Sequence, residues 1–423
     1  MGRIARFKSD QRGNVALMFG LVMIPFFGLV GAAIDYGRAS YAHSKAQTAL
    51  DRAALSIVKL PITASQADMD KIAKAAVENT FGFDTGTRST SGIIFDVPTV
   101  SRADKTVTVT ISGSSDSTFM QLLGFQDTKF NAAAKAEWNS NKIELALVLD
   151  NTDSMKQSPG GTRKIDALKQ AANQLLLDLK SAAIDSDTVK VSIVPFDTEV
   201  RLDPEKYRST SLFNWARTNT DPAKWTGYVF DRYNSYATSD AAPSAAIPDS
   251  LFPAPQTTTS QMSGSLQMIQ PLTTLFDSSN YDALKQVVSG MQPRGYTNIA
   301  LGAMWGLATL SPSEPFSEAQ PISNTKIKKY MVIVTDGYNT KNHVNGNESN
   351  SVSQIDTKTL SACSAAKDFG IQVFTIRLVD GYADLLQKCA SSPDNYFDVQ
   401  NASDLSGAFK KITGSILGTR ISS

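Results

Sequence analysis

Residues Asn14 to Ile34 run without a single charge and include the apolar stretch from Val15 to Ile24. As a helix this run extends about 30 Å, enough to cross the hydrocarbon core of a bilayer. Hydrocarbon admits only structures that pair their own backbone groups, so a helix is the one conformation open to a single segment there. Pro25 is tolerated in such a helix. Upstream, Arg3, Arg6, Lys8 and Arg12 face one acid, Asp10, and the excess of cations near a span keeps its flank on the cytoplasmic side. Residues 1–13 are therefore expected to form a cytoplasmic tail and 14–34 a single membrane span, with everything from Asp35 onward exported. A cleaved signal peptide, with Val30-Gly31-Ala32 as its small-residue site, and a buried helix of a soluble domain are the competing readings. The apolar run is longer than the usual signal core and continues unbroken into helix, which favours a retained anchor.

Beyond the span, Ala39, Ala42, Ala46, Ala49, Ala53, Ile57 and Leu60 recur at spacings of three and four, a narrow seam of small residues along one helical face. The seam suits either close packing on another pilin-like helix or covering of the adjacent residues. Within 35–141, Asp68–Val77 and Thr118–Leu123 read as short helices. Lys105–Ile111 alternates strictly, as a half-buried strand does, and Lys129–Trp138 reads as a second strand. A small α+β module without chemistry is expected there.

The chain's 423 residues, 42% hydrophobic and 19% charged, supply core for two or three domains. A net charge of +1 gives no field to draw in nucleic acid. Only two histidines, His43 and His343, and two cysteines, Cys363 and Cys389, are present. That scarcity rules against Ser/His/Asp or Cys/His catalysis and against four-ligand zinc sites. His343 falls in the polar stretch 342–350 and is expected to be a solvated loop residue.

Chemistry concentrates after Ile143. Ile143–Leu149 is a near-continuous apolar run, the mark of a strand buried on both faces of a parallel sheet. It ends in Asp150-Asn151-Thr152-Asp153-Ser154, dense in oxygen donors, and a helix follows with Ile165, Leu168, Ala172, Leu175, Leu176 and Leu179 on one face. The theme then repeats. Val189–Phe196, Tyr330–Val334, Ile371–Ile376 and Tyr396–Val399 read as strands, alternating with helices at Tyr281–Met291, at Ile299–Leu310, up to Phe369 and at Ser403–Leu417. Such alternation predicts an α/β fold with a doubly wound, mainly parallel sheet over 142–423, interrupted by a polar insertion at about 202–271. In open sheets of this kind, sites lie at the carboxyl ends of strands. The helix ending at Phe369 carries Cys363, and the element after strand Ile371–Ile376 carries Cys389. They read either as a disulfide across one βα unit, which export permits, or as two buried free thiols.

Three pieces in order, Asp150-x-Thr152-x-Ser154, Thr297-Asn298 and Thr335-Asp336-Gly337, resemble the metal-ion-dependent adhesion site of a von Willebrand factor A domain. The family's usual serine is Thr152 here, which keeps the hydroxyl. The resemblance implies a divalent ion held by Asp150, Thr152, Ser154, Thr297 and Asp336, with the acids acting through water and one position left for a partner's carboxylate. An all-oxygen set of hydroxyls and carboxylates suits Mg²⁺, or Mn²⁺ or Ca²⁺, over Zn²⁺. Taken one at a time, the pieces are ordinary helix caps and turn pairs.

Three further stretches resemble the TadG-like proteins of tight-adherence (Flp-type) pilus systems. These are Arg12-Gly13-Asn14-Val15-Ala16 leading into the apolar run, Gly295–Gly306 with Leu310-Ser311-Pro312 and Pro315-Phe316, and the tail from Cys389-Ala390 to Arg420-Ile421-Ser422. The insertion's Trp225-Thr226-Gly227-Tyr228 has tyrosine where that branch usually has cysteine. Met18 stands where a prepilin cut after Gly13 would carry glutamate, so permanent anchoring is expected. The resemblance implies a single-pass protein of the bacterial inner membrane with its bulk in the periplasm. It would act in pilus assembly by binding a protein partner through the metal, with no enzymatic activity and no small-molecule substrate. A structural spacer or an adhesin without metal-dependent binding is the alternative. A phosphoester hydrolase of the haloacid-dehalogenase type needs a second aspartate where Thr152 stands.

Overall fold

The computed structural model describes residues 12–60, 64–103, 106–137, 142–258, 265–343 and 349–418. The basic residues Arg3, Arg6 and Lys8 and the tail Arg420–Ser422 lie outside them. The chain divides into two compact units, residues 1–139 and 140–423.

In the first unit, helix α1 runs from Arg12–Ile57 straight through Pro25. The helix is long and apolar enough over its amino-terminal part to cross a membrane. Met18, Phe19, Leu21, Val22, Phe26, Phe27 and Leu29 all stand exposed on it. Farther along, Ala39, Ala42, Ala46, Ala49, Ala53 and Ile57 are buried, so the seam is covered by the unit's own module; Leu60 falls in the turn beyond the helix. Helix α2 (Gln66–Phe81) buries Met69, Ala73 and Val77 and ends at Gly82, whose left-handed φ of 77° closes the cap. An antiparallel sheet completes the unit. Strands β1 (Ile93–Phe95) and β2 (Thr99–Ala103) pair along one edge of β3 (Thr106–Asp116), and β4 (Asp127–Glu137) along the other.

The second unit is built on β5 (Lys142–Asp150), α3 (Lys164–Ser181), β6 (Val189–Phe196), the two-residue strands β7 (Val200–Arg201) and β8 (Tyr228–Val229), and β9 (Gln270–Thr274). It continues through α4 (Ser278–Gly290), α5 (Ile299–Leu310), β10 (Ile327–Thr335), α6 (Val352–Asp368), β11 (Gln372–Leu378), α7 (Ala383–Cys389), β12 (Tyr396–Val399) and α8 (Leu405–Gly418). The main sheet has the order β12-β11-β10-β5-β6-β9, parallel except for β9. Side chains alternate between two cores. Leu145, Leu147 and Leu149 pack on the face of α3 and α8, whereas Ala146 and Val148 pack on the face of α5 and α6. Burial on both faces is why β5 reads as continuous apolar sequence. The edge strand β9 starts inside the segment read as insertion; Pro271 lies in it, and an edge is where a strand tolerates proline.

The polar insertion, whose structure its sequence left open, is ordered by local caps and by burial. Pro204, Pro222 and Pro248 each open a single-turn helix, the first two after aspartate caps at Asp203 and Asp221. Phe213, Trp225 and Phe252 are buried in the core beside Trp305 of α5, with Phe252 and Trp305 ring centroids 4.9 Å apart. His343 is likewise not solvated. It is 4% exposed and stacks on Phe230 at 3.9 Å, and its backbone N–H donates to Asp231 at 3.3 Å. The aromatic wall offered by the insertion outweighs the polar sequence around it.

Cys363 of α6 and Cys389 of α7 are joined by a disulfide, with Cα atoms 5.2 Å apart.

Candidate functional site

Strands β6 and β10 flank β5 on opposite sides, and the chain leaves β5 over one face of the sheet and returns to β10 from the other. The carboxyl ends of β5 and β10 thus frame the crevice where doubly wound sheets bind ligands. Asp150 ends β5 and Asp336 follows β10.

Local hydrogen bonds shape the first loop. Asp150 Oδ1 accepts the backbone N–H of Thr152 at 2.8 Å, and Oδ2 accepts the Thr335 hydroxyl at 2.6 Å. The hydroxyls of Thr152 and Ser154 lie 3.0 Å apart, and Ser154 donates to Asp336 Oδ1 at 2.6 Å. Thr297 arrives on the loop before α5, where Asn298 caps the helix. A Cβ placed on Gly337 would sit 3.1 Å from the Thr297 hydroxyl and 3.8 Å from that of Ser154. Glycine therefore keeps open the space toward which these two hydroxyls converge. All five residues singled out in the sequence meet here: Asp150, Thr152, Thr297 and Asp336 are buried, and Ser154 is half-buried.

The loops are stitched together by main chain. Arg294 N–H donates to Asn151 O at 2.7 Å, Asp153 N–H to Gly295 O at 3.1 Å, and Thr340 N–H to Thr297 O at 2.9 Å. Behind them the buried Arg294 guanidinium donates to Asp197 Oδ2 at 2.9 Å and to Glu199 Oε2 at 3.0 Å. Gly295, at φ 75°, is required there because a Cβ would come within 2.6 Å of the Asp197 carboxylate. From the insertion, Asp231 accepts from Asn298 Nδ2 at 2.9 Å.

Burial, then repulsion from Asp336, pushes the Asp150 carboxyl up to about 7. Burial also raises Asp336, against the pull of Lys164 and Ser154. Two buried acids sharing a single buried ammonium remain unfavourable, and a divalent cation is one remedy for the second charge. Among the described residues no three of His, Cys, Asp and Glu come together, so an ion here depends on the three hydroxyls. Hydroxyls and carboxylates with no sulfur or imidazole fit a hard, oxygen-seeking cation.

Two neighbours escaped the sequence reading. The Lys164 ammonium, wholly buried, donates to Asp336 Oδ2 at 2.8 Å, Gln157 Oε1 at 2.9 Å and Asp380 Oδ2 at 3.1 Å. Its signal was a charged residue in phase with the buried stripe of Leu168, Ala171 and Leu175. In the sequence Thr335 reads as part of a turn, yet it follows Val334, which pairs with Leu149, and so its hydroxyl reaches Asp150 directly.

Comparison with known proteins defines the class. Residues 253–411 match the model of the von Willebrand factor type A domain, and the second unit has that fold, a mixed α/β sheet with helices on both faces. Residues 13–56 match the model described as Flp pilus-assembly TadE/G-like. The two matches together are those of a pilus-associated protein carrying a von Willebrand factor type A domain. No curated protein matches the sequence. Among solved structures, the pilus adhesin SpaC from Lactobacillus rhamnosus GG is 14% identical, with 78% of this chain and 35% of that chain covered and a TM-score of 0.42. This chain thus spans about a third of that adhesin's length. A mutant of the PilB minor pilin from Streptococcus sanguinis is 12% identical, over 79% of this chain and 81% of that one, with a TM-score of 0.39. The vWF domain of the type V pili tip protein Mfa5 from Porphyromonas gingivalis is 10% identical, over 66% and 96%, also at 0.39.

Proposed function

We propose that this chain is a membrane-anchored, non-enzymatic component of Flp-type pilus assembly. Its second unit is held in the periplasm and binds a protein partner through a divalent metal. Asp150, Thr152, Ser154, Thr297 and Asp336 hold Mg²⁺, or Mn²⁺ or Ca²⁺, and the partner supplies a carboxylate. The observation that carries the reading is the convergence of three hydroxyls and two buried acids from three loops on the space that Gly337 leaves open. The pilus-assembly match over the apolar helix supports the anchoring and the setting. Exposed Tyr296 and Tyr338 flank Thr297 and Gly337 in the chain, and aromatic residues of this kind dominate protein-binding surfaces.

The test is titration calorimetry on chelator-treated full-length protein in detergent. Mg²⁺ or Mn²⁺ should give saturable heat that Asp150→Ala removes. No heat from the unaltered protein would reject the metal reading. It would favour a spacer without metal, for which the Lys164–Asp336 pair, already supplying a cation to one acid, is the specific support. Partner capture is best attempted with a photoreactive residue at Tyr296 or Tyr338, which stand exposed next to Thr297 and Gly337 in the chain. Unchanged piliation and surface attachment after deletion of the gene would reject the role in assembly.

A further inference from the structure

A loop of the first unit is seated on the apolar part of α1. Phe119 packs directly on Gly31: a Cβ at Gly31 would fall 2.2 Å from Phe119 Cβ and 2.5 Å from its Cγ. Just above, Asp35 accepts three backbone N–H groups of the same loop, from Thr118 at 3.0 Å, Phe119 at 2.8 Å and Met120 at 2.9 Å. Arg38 adds bonds to the Thr118 hydroxyl at 3.0 Å and to Ser91 O at 2.9 Å. The loop is thus fixed to the last turn of the uncharged run. Gly31 lies about 6 Å below Asp35 along the helix axis.

Despite this anchoring, the loop turns apolar surface outward. Phe119, packed on Gly31, is 40% exposed, and Phe125, whose N–H donates to Met120 O at 3.1 Å in the same loop, is 58% exposed; Val30 and Ile34 of α1 are exposed as well. Exposed aromatic rings adjoining a helix that is apolar on every side call for apolar surroundings, not for a partner on one face. Tyr36, 71% exposed, sits one residue past Asp35, where interfacial aromatic residues gather. The loop's first N–H groups are already paired, which removes the main cost of lowering backbone toward hydrocarbon.

We infer that residues 119–125 form a second membrane contact, with Phe119 and Phe125 seated in the lipid headgroup–acyl boundary. The inference rests on the reading that 14–34 crosses a membrane. The occupant is lipid, because the exposed Phe119 ring is continuous with the apolar circumference of α1 and Phe125 extends the same loop. The contact fixes how far α1 rises from the bilayer and which of its faces turns toward the surface.

The native cysteines are bridged to each other, so an introduced thiol gives a unique labelling site. Val30→Cys, Phe125→Cys and Ser56→Cys, each carrying an environment-sensitive fluorophore, are placed in phosphatidylcholine–phosphatidylglycerol vesicles as the full chain. Spin-labelled lipids and aqueous iodide then serve as quenchers. The expected result is quenching of positions 30 and 125 by shallowly labelled lipid, and of position 56 by iodide alone. Lipid quenching at 30 with only iodide quenching at 125 would overturn the loop contact while leaving the span intact. No lipid quenching at 30 would overturn the span and the inference with it. A position 125 shielded from both quenchers would assign the loop to a protein contact and overturn the lipid assignment.

Discussion

Lys164 Nζ lies 2.8 Å from Asp336 Oδ2, and both side chains are completely removed from solvent. A lysine on the first turn of α3 thereby supplies charge to an acid on the far side of the site crevice. Removing one member of such a buried pair leaves the other uncompensated, at a cost of about 3–5 kcal/mol. Lys164→Met is expected to lower the urea midpoint of the chelated protein accordingly. Adding Asp336→Asn to it should restore much of the loss, since the amide needs no counter-charge. Equal midpoints for Lys164→Met and the unaltered chain would show that the pair contributes nothing.

Gly337 tests the shape of the site apart from its charges. Its missing Cβ would lie 3.1 Å from the Thr297 hydroxyl. Gly337→Ala should displace that donor and weaken Mg²⁺ binding by about tenfold or more, roughly 1.4 kcal/mol. The far-ultraviolet circular dichroism should not change. Undiminished affinity in calorimetry would remove Thr297 from the ligand set.

Stability should fall with rising pH. Burial, only partly offset by Arg294, raises the Asp197 carboxyl to about 7, against about 3.9 in an unfolded chain. The folded form then keeps a proton that the unfolded form releases. The stabilisation is complete below about pH 4 and is lost as pH rises through about 7, by up to about 4 kcal/mol. Asp150 and Asp336 shift in the same direction. Urea midpoints measured in chelator from mildly acidic to mildly basic buffer should therefore decline, and Asp197→Asn should make the decline shallower. A profile that rises over this range would contradict the sign.

The bridge between Cys363 and Cys389 closes a sequence separation of 26. Loop closure of that size stabilises by about 3.5 kcal/mol in the chain-entropy model. The Cys363→Ala/Cys389→Ala double variant should unfold at lower temperature by a corresponding margin, and reducing agent should reproduce the shift only in the unaltered protein.

Much of the second unit was legible because its strands are buried on both faces. Val189–Phe196 and Tyr396–Val399 begin and end where the apolar pattern does, as does the helix Ile299–Leu310. The five oxygen donors could be read because each stands at a strand end or ahead of a helix. The structure of the insertion was not legible because its order comes from tertiary contacts: Trp225 and Phe252 find walls contributed by distant residues, while the short turns between them carry no period. The aspartate–proline pairs at 203–204 and 221–222 were the local signal that went unused. His343 was misjudged for the same reason, since Phe230 is far from it in sequence. Lys164 was hidden by the rule that charges point outward, which fails where two acids converge.

Helix α1 passes from the apolar run into the packed module without a break between Asp35 and Ile57, a reach of about 33 Å. With the apolar run crossing a bilayer, as proposed, it would be a stiff lever with its fulcrum at the bilayer surface. A change of about 20° in its inclination, ordinary for a membrane helix, would sweep Ile57 sideways by about 11 Å. Lipid thickness or a neighbour in the membrane would thus gain a mechanical route to the residues packed along the alanine seam, with no hinge to absorb the movement.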